Sequence, residues 1–328
     1  MLVGLIVGAI SIGVVFLFGS IGEILTEKSG HLNLGIPGIM CMGVAGGCFM
    51  VVSYMKTLAD PADGSYIIIL LAVIFGACLF AAFGGAIYAF LTVTLRANQN
   101  VVGLALTTFG AGFSQFIMNR LFAAVTNARS LLAVASTKIK GYLPFADNLG
   151  EFGKIFLSHG ILVYFAIALA IVAALFLKKT KTGLRLRAVG ENPATADAVG
   201  INVTAYKYGA ILVGSAIAGL GGLFYVLDYN CGTFDNTMTI QAFGWLAIAL
   251  VIFTMWKPDL AILGSIVFGA LYILGIKITG LSTLGQQELI KLLPYVVTII
   301  VLIITSIFGS KSVQPPAALG MNYFREER

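Results

Sequence analysis

Apolar residues in this chain form long unbroken runs, not the alternation of strands or the one-sided stripe of a surface helix. Nine runs stand out: Leu2–Leu25, Leu34–Met55, Tyr66–Leu95, Val101–Met118, Ile161–Leu177, Val203–Leu227, Ile240–Trp256, Leu260–Ile276 and Leu289–Phe308. Each approaches the roughly 20 apolar residues that carry a helix across the hydrocarbon core of a bilayer. The pattern predicts an all-α, polytopic transmembrane helix bundle of about nine spans, within a range of eight to ten. The run Leu34–Met55 holds Gly35, Pro37, Gly38, Gly43, Gly46 and Gly47. A broken or kinked helix is expected there, which a membrane tolerates only where protein or a cavity supplies hydrogen-bond partners. The first run lacks a basic start and a small-residue cleavage site, so Met1–Phe18 reads as a retained span.

Composition removes whole function classes. Of 328 residues, 59% are apolar and 10% charged, and the mean hydropathy is +0.98. A soluble domain is about 45–50% apolar and about 25% charged, so soluble, disordered, collagenous and nucleic-acid-binding readings fall away. Glycine occurs 39 times, and small residues let membrane helices approach closely. Cys41, Cys48 and Cys78 lie in apolar runs and Cys231 in a predicted loop. No disulfide framework or metal-ligand spacing follows from them.

The net charge is +6, and its distribution sets an orientation. The segment Lys178–Lys207 carries Lys178, Lys179, Lys181, Arg185, Arg187 and Lys207, and basic loops stay in the cytoplasm. Nine spans alternating from it put the N-terminus outside and the C-terminus inside. The inside then holds those six plus Lys28, Arg96, Lys257, Lys311, Arg325 and Arg328. The outside holds Lys56, Arg120, Arg129, Lys138, Lys140, Lys154, Lys277 and Lys291. This gives one transmembrane domain over residues 1–310, an outside loop at 119–160, an inside loop at 178–202 and an inside tail at 311–328.

Enzyme chemistry finds no foothold. The chain has no GxxxxGK[ST] phosphate loop, no HExxH and no GxSxG. It reads as no enzyme, with no cofactor and no metal site, and any ATP hydrolysis belongs to another subunit. His31 and His159 sit at run ends and read as interfacial residues. Glu23 and Glu27 share one helical side late in the first run, Asp228 and Asp235 fall in a predicted outside loop, and Glu288 marks a span boundary. Run centres carry Ser, Thr, Asn, Gln and aromatics instead of carboxylates. That counts against an ion-coupled pump or channel and favours a pathway for a neutral solute, driven from elsewhere.

The most informative stretch is Gly183–Gly200. Asn192 suits an N-cap, Pro193 a first helical position and Gly200 a C-terminal stop. The enclosed helix is barely two turns long, too short to stand alone in water. Its small Ala194, Ala196 and Ala198 would fit a partner's groove; the bland alternative is a solvated basic connector.

This stretch resembles the coupling-helix loop of permease subunits in bacterial ABC importers of the branched-chain amino acid, ribose and nucleoside class. Further motifs match in order. Gly22-Glu23 through Ser29-Gly30-His31-Leu32-Asn33-Leu34-Gly35-Ile36-Pro37-Gly38 is similar to that family's N-terminal signature. Ala97–Gly103, Gly214–Gly222, Gln241–Ala249, Lys257-Pro258 and Phe268-Gly269-Ala270 resemble its later loops and spans. The signature looks most like nucleoside permeases served by a binding lipoprotein of the basic-membrane-protein type. One departure is Pro37, where many members carry Glu.

The resemblance implies a type II-like importer architecture in the bacterial cytoplasmic membrane. Two permease chains, this one with a paralogue or with itself, would form the pore. ATPase subunits would grip Gly190, Glu191, Asn192, Pro193, Ala196 and Gly200. A substrate-binding lipoprotein would deliver solute, and the 119–160 loop is either its docking surface or a lid. Candidates for the substrate pathway are Asn33, Asn100, Thr107, Gln115 and Gln241, with Thr108, Phe109, Asn236 and Trp245 beside them. Helix packing is the competing role for the Thr and Phe positions. The cargo reads as a nucleoside, with a sugar or branched-chain amino acid as the alternative.

Overall fold

The computed structural model describes residues 2–141, 149–277, 289, 292–308 and 314–324. Glu288, Lys291, Lys311, Arg325 and Arg328 lie outside these residues, as do parts of the 119–160 loop and the tail. Among the described residues every regular element is helical. The helices are α1 (Leu2–Glu27), α2 (Ile36–Met55), α3 (Tyr66–Ala89), α4 (Gln99–Ala124), α5 (Ala128–Ile139), α6 (Gly150–Phe156) and α7 (Ile161–Lys179). They continue with α8 (Lys181–Glu191), α9 (Pro193–Ala198), α10 (Val203–Phe224), α11 (Thr237–Phe253), α12 (Pro258–Lys277) and α13 (Leu293–Phe308). A π-helical turn, Phe90–Thr94, extends α3, and another, Tyr225–Tyr229, extends α10.

Six of these, α1, α2, α3, α4, α7 and α10, are long and apolar enough to cross a membrane. α11, α12 and α13 carry shorter apolar stretches. Contacts fix their directions. α1 ends where α2 begins, Tyr88 at the end of α3 reaches Leu32, and Gln99 at the start of α4 reaches the same residue. Lys178 at the end of α7 pairs with Asp259 at the start of α12. The α8–α9 hairpin lies at this end of the bundle, called the hairpin end below.

Close helix approach holds the centre together. α10 packs on α1, α2 and α3, and α2 on α3, with α4, α11 and α12 around them. Lipid is as apolar as a leucine side chain, so burial of apolar surface cannot drive this packing. Where α1 crosses α10, Gly22 lies against the carbonyl of Gly214 and Gly214 against that of Gly22. Gly46 of α2 and Gly76 of α3 meet in the same reciprocal way. A Cβ at any of the four would enter a backbone oxygen. Outward faces are apolar: α3 presents Ile67, Leu71, Phe75 and Leu79, and α13 presents Ile299, Ile303 and Ile307. Such exposed patches require lipid or another subunit to cover them.

The structure departs from the sequence reading at several points. The second run is not broken: α2 is continuous, with Pro37 in its first turn, where a missing N–H costs no hydrogen bond. Residues 119–160 are not simply a loop. α4 continues to Ala124, and α5 buries Leu131, Leu132, Ala135 and Ile139 against the bundle. Asp228 lies in the π-helical turn after α10, buried, not in a loop. His31, His159 and Lys207 are enclosed by protein, at 1%, 6% and 4% exposure.

The glycine crossings generate a test. Overpacking a tight contact costs about 1–3 kcal/mol. Gly214→Leu should lower the melting temperature of the detergent-solubilised protein by several degrees. Gly209→Leu, on the same helix with open space beside it, should leave it unchanged. Equal melting of both variants would refute the close-approach account.

Candidate functional site

The link between α1 and α2, residues 28–35, has no regular structure, yet Ser29, Gly30, His31, Asn33 and Gly35 are all buried. Buried backbone groups need partners, and the partners here come from three different helices. The Asn33 amide donates to Glu23 Oε1 of α1 at 2.9 Å, and the Leu32 amide to Gln99 Oε1 of α4 at 2.8 Å. The Leu32 carbonyl accepts from the Tyr88 hydroxyl of α3 at 2.6 Å, and the Leu34 carbonyl from Thr107 Oγ1 of α4 at 2.8 Å. Asn33 Oδ1 accepts from the Gly35 amide at 2.9 Å, closing the turn into α2. Glu27, one turn below Glu23, accepts from the Trp256 indole at the α11–α12 corner. Met255 and Trp256 both hold positive φ, 54° and 56°. That is strained for bulky residues, and the corner keeps it where it aims the indole at Glu27.

The hairpin docks on this link. Thr180 caps α8 by accepting from the Gly183 amide at 2.9 Å. Asn192 Oδ1 caps α9 by accepting from the Thr195 amide at 2.9 Å, and Pro193 opens the helix. The Gly200 amide donates to the Asp197 carbonyl at 2.9 Å and the Ile201 amide to that of Ala196 at 3.0 Å, with Gly200 at φ 83°. This is the glycine stop expected of a six-residue helix. Gly190 is buried against the Lys28 carbonyl and the Gly30 amide, where a Cβ has no room. Ala196 is buried with Val189 and Val203. The outer face of α9 presents Ala194, Ala198 and Val199.

The tail crosses the same surface. The Ala318 amide donates to the Gly190 carbonyl at 3.0 Å and the Gly320 amide to the Gly30 carbonyl at 3.1 Å. The Ala317 amide donates to Glu191 Oε2 at 3.3 Å, and the Tyr323 hydroxyl to Asp197 Oδ2 at 2.8 Å. Residues 314–324 therefore strap hairpin and link together; they do not simply extend away.

The six loop candidates thus lie together, but in two roles. Gly190 and Ala196 face the bundle, while Glu191 and Asn192 are exposed and Pro193 is half-buried. The pathway candidates do not form one cluster. Asn33 and Thr107 meet around Leu34 and are enclosed. Asn100 is exposed at the hairpin end. Gln115 lies two turns beyond Thr107 and bonds Asn119 at 2.9 Å, and Gln241 is half-buried in α11. Sequence reading overlooked Gln99, Tyr88 and Trp256 as partners of the link; the clue was that a buried non-helical link needs donors and acceptors from outside itself.

The chain matches, over residues 5–302, the family described as the branched-chain amino acid transport system permease component. The chain belongs to this permease family. Six membrane-length apolar helices agree with a multi-pass membrane protein. The permease is 34% identical to the nucleoside ABC transporter permease protein NupC of Lactococcus lactis, over 95% of this chain and 93% of that one. It is 29% identical to the guanosine ABC transporter permease protein NupQ of Bacillus subtilis, over 94% and 92%. It is also 29% identical to a putative glucose ABC transporter permease protein of Haloferax volcanii, over 98% of both chains.

The permease carries one testable electrostatic feature in the link. Burial, reinforced by the Lys207 charge, pushes the His31 imidazole down to about 3, against a backbone hydrogen bond at Ser29 that raises it. An unfolded chain takes up that proton near pH ~6.5, and the folded protein refuses it until about 3. The stability contribution is whole above pH ~6.5 and is lost as pH falls towards 3. His31→Gln should flatten the fall in melting temperature between about pH 7 and about pH 5. Superimposable profiles for the two proteins would contradict this assignment.

Proposed function

We propose that this permease is the membrane subunit of an ATP-driven ABC importer that moves a nucleoside inward across the bacterial cytoplasmic membrane by alternating access. The observation that carries the cargo is similarity along nearly the whole chain to the nucleoside permease of L. lactis and the guanosine permease of B. subtilis. ATP hydrolysis lies on separate ATPase subunits. A second permease chain completes the pore; NupC and NupB of L. lactis both resemble this chain, at 34% and 25% identity. A binding lipoprotein delivers the nucleoside to the face opposite the hairpin, where the 119–160 segment offers a docking surface.

The coupling step rests on the hairpin. An ATPase groove takes the small apolar face Ala194, Ala198 and Val199, with Glu191, Asn192 and Pro193 at its edge. Gly190 and Ala196 bind the hairpin to the bundle, and Gly200 lets the chain turn back into α10. When the ATPases close, the hairpin carries the 28–35 link with it, and the link pulls on α1, α2 and α4. The six membrane-length helices together with the shorter α11, α12 and α13 would then be nine spans. Gln115 and Gln241 offer amides to the nucleoside on α4 and α11, which pack together. Asn100 lies at the inner mouth, and Asn33 and Thr107 brace the wall behind. A sugar is the second reading, supported by the glucose permease of H. volcanii.

The test is uptake by the complex purified from its own host and reconstituted in liposomes. Guanosine uptake should require ATP, other nucleosides should compete and glucose should not. Gly190→Leu should lower uptake about tenfold or more while ATP hydrolysis persists, because the hairpin no longer seats on the link. Competition by glucose alone would favour the second reading. Recovery of the chain without an ATPase would overturn both.

A further inference from the structure

Lys207 lies one turn into α10, 4% exposed, with no hydrogen bond and no ion pair among the described residues. A buried ammonium without a counter-ion is costly, and nothing in the import mechanism above uses it. The group borders a cavity of about 390 Å³ at the hairpin end. The remaining wall is suited to negative charge. Arg96 enters it from the α3–α4 connection, its guanidinium 4.7 Å above the Phe324 ring and its backbone at φ 57°. The N-terminus of α10 opens onto the same space. Asn202 caps only the Ala205 amide, at 3.0 Å, and the Val203 and Thr204 amides meet no acceptor among the described residues. His31 also borders the cavity, and its buried Nδ1 has no partner among the described residues.

We infer that this cavity is a binding site for a phosphate group, gripped by Lys207, Arg96 and the first amides of α10. Helix N-termini and paired cations are the standard means of holding such an anion. One carboxylate, Asp197, borders the cavity as well, but it accepts from the Tyr323 hydroxyl at 2.8 Å, and the two cations outnumber it. The phosphate group is carried either by an anionic lipid, since α10 enters its apolar stretch here, or by a small soluble phosphate. Either source would fasten the exit of α9 to the α3–α4 connection. The site is separate from the solute pathway and from the outer face of α9.

The full chain, purified in detergent and stripped of lipid, tests this in two arms. Inorganic phosphate is titrated by calorimetry. Phosphatidylglycerol retention is measured against phosphatidylcholine by native mass spectrometry. One saturable ligand per chain is expected in at least one arm: phosphate alone identifies a soluble source, and selective phosphatidylglycerol retention identifies a headgroup. Lys207→Met and Arg96→Gln should each weaken binding about tenfold or more. Lys207→Arg keeps the charge and should retain binding, which separates loss of the site from misfolding; Arg96→Gln acts at a half-exposed position as a second control. No saturable binding in either arm, or wild-type binding by both charge-removing variants, would overturn the site.

Discussion

The structure depends on one constraint: the eight-residue link between α1 and α2 is not helical, yet five of its residues are buried. In an apolar surrounding every backbone group of such a link must find a partner. The chain meets this with side chains from Glu23, Tyr88, Gln99 and Thr107, so α1, α3 and α4 cannot move relative to one another without breaking hydrogen bonds to the link. Gly190 and Gly320 bring the hairpin and the tail onto the same backbone. A short loop thereby becomes the joint through which the hairpin and the bundle are connected.

Around that joint the helices are held by shape. Reciprocal glycine contacts bring α1 to α10 and α2 to α3, giving close dispersion contact where lipid supplies no hydrophobic gain. Polar bonding is concentrated at the hairpin end, and the interior of the bundle is largely apolar. Such a molecule has a hydrogen-bonded end and a body held by close helix packing. That division suits a subunit driven from one end to open and close a path for a neutral solute.

Much of this was legible in the sequence, and the reasons differ by element. Spans α1, α3, α4, α7 and α10 followed from run length, since lipid demands continuous apolarity. The small helix α9 followed from Asn192, Pro193 and Gly200, because caps and stops are local chemistry, and the structure reproduces all three. What failed was any inference needing a distant partner. Pro37 looked like a break because its position in the first turn depends on where the link ends. The burial of Lys207 and His31 depends on neighbours distant in sequence, and α5 looked like loop because its 12 residues are too few for a span. The pathway residues divided for the same reason: Thr107 bonds the Leu34 carbonyl, far away in sequence, and the Asn33 amide bonds Glu23 of the preceding helix.

The central claim is that the 28–35 link transmits movement between hairpin and bundle. Hydrogen–deuterium exchange of the reconstituted complex, with and without ATP trapped on the ATPases, tests it most directly. The account predicts that amides of 28–35 are protected at rest and change exchange in step with 181–200 when ATP is trapped. A hairpin that changes while 28–35 keeps its resting exchange would contradict it.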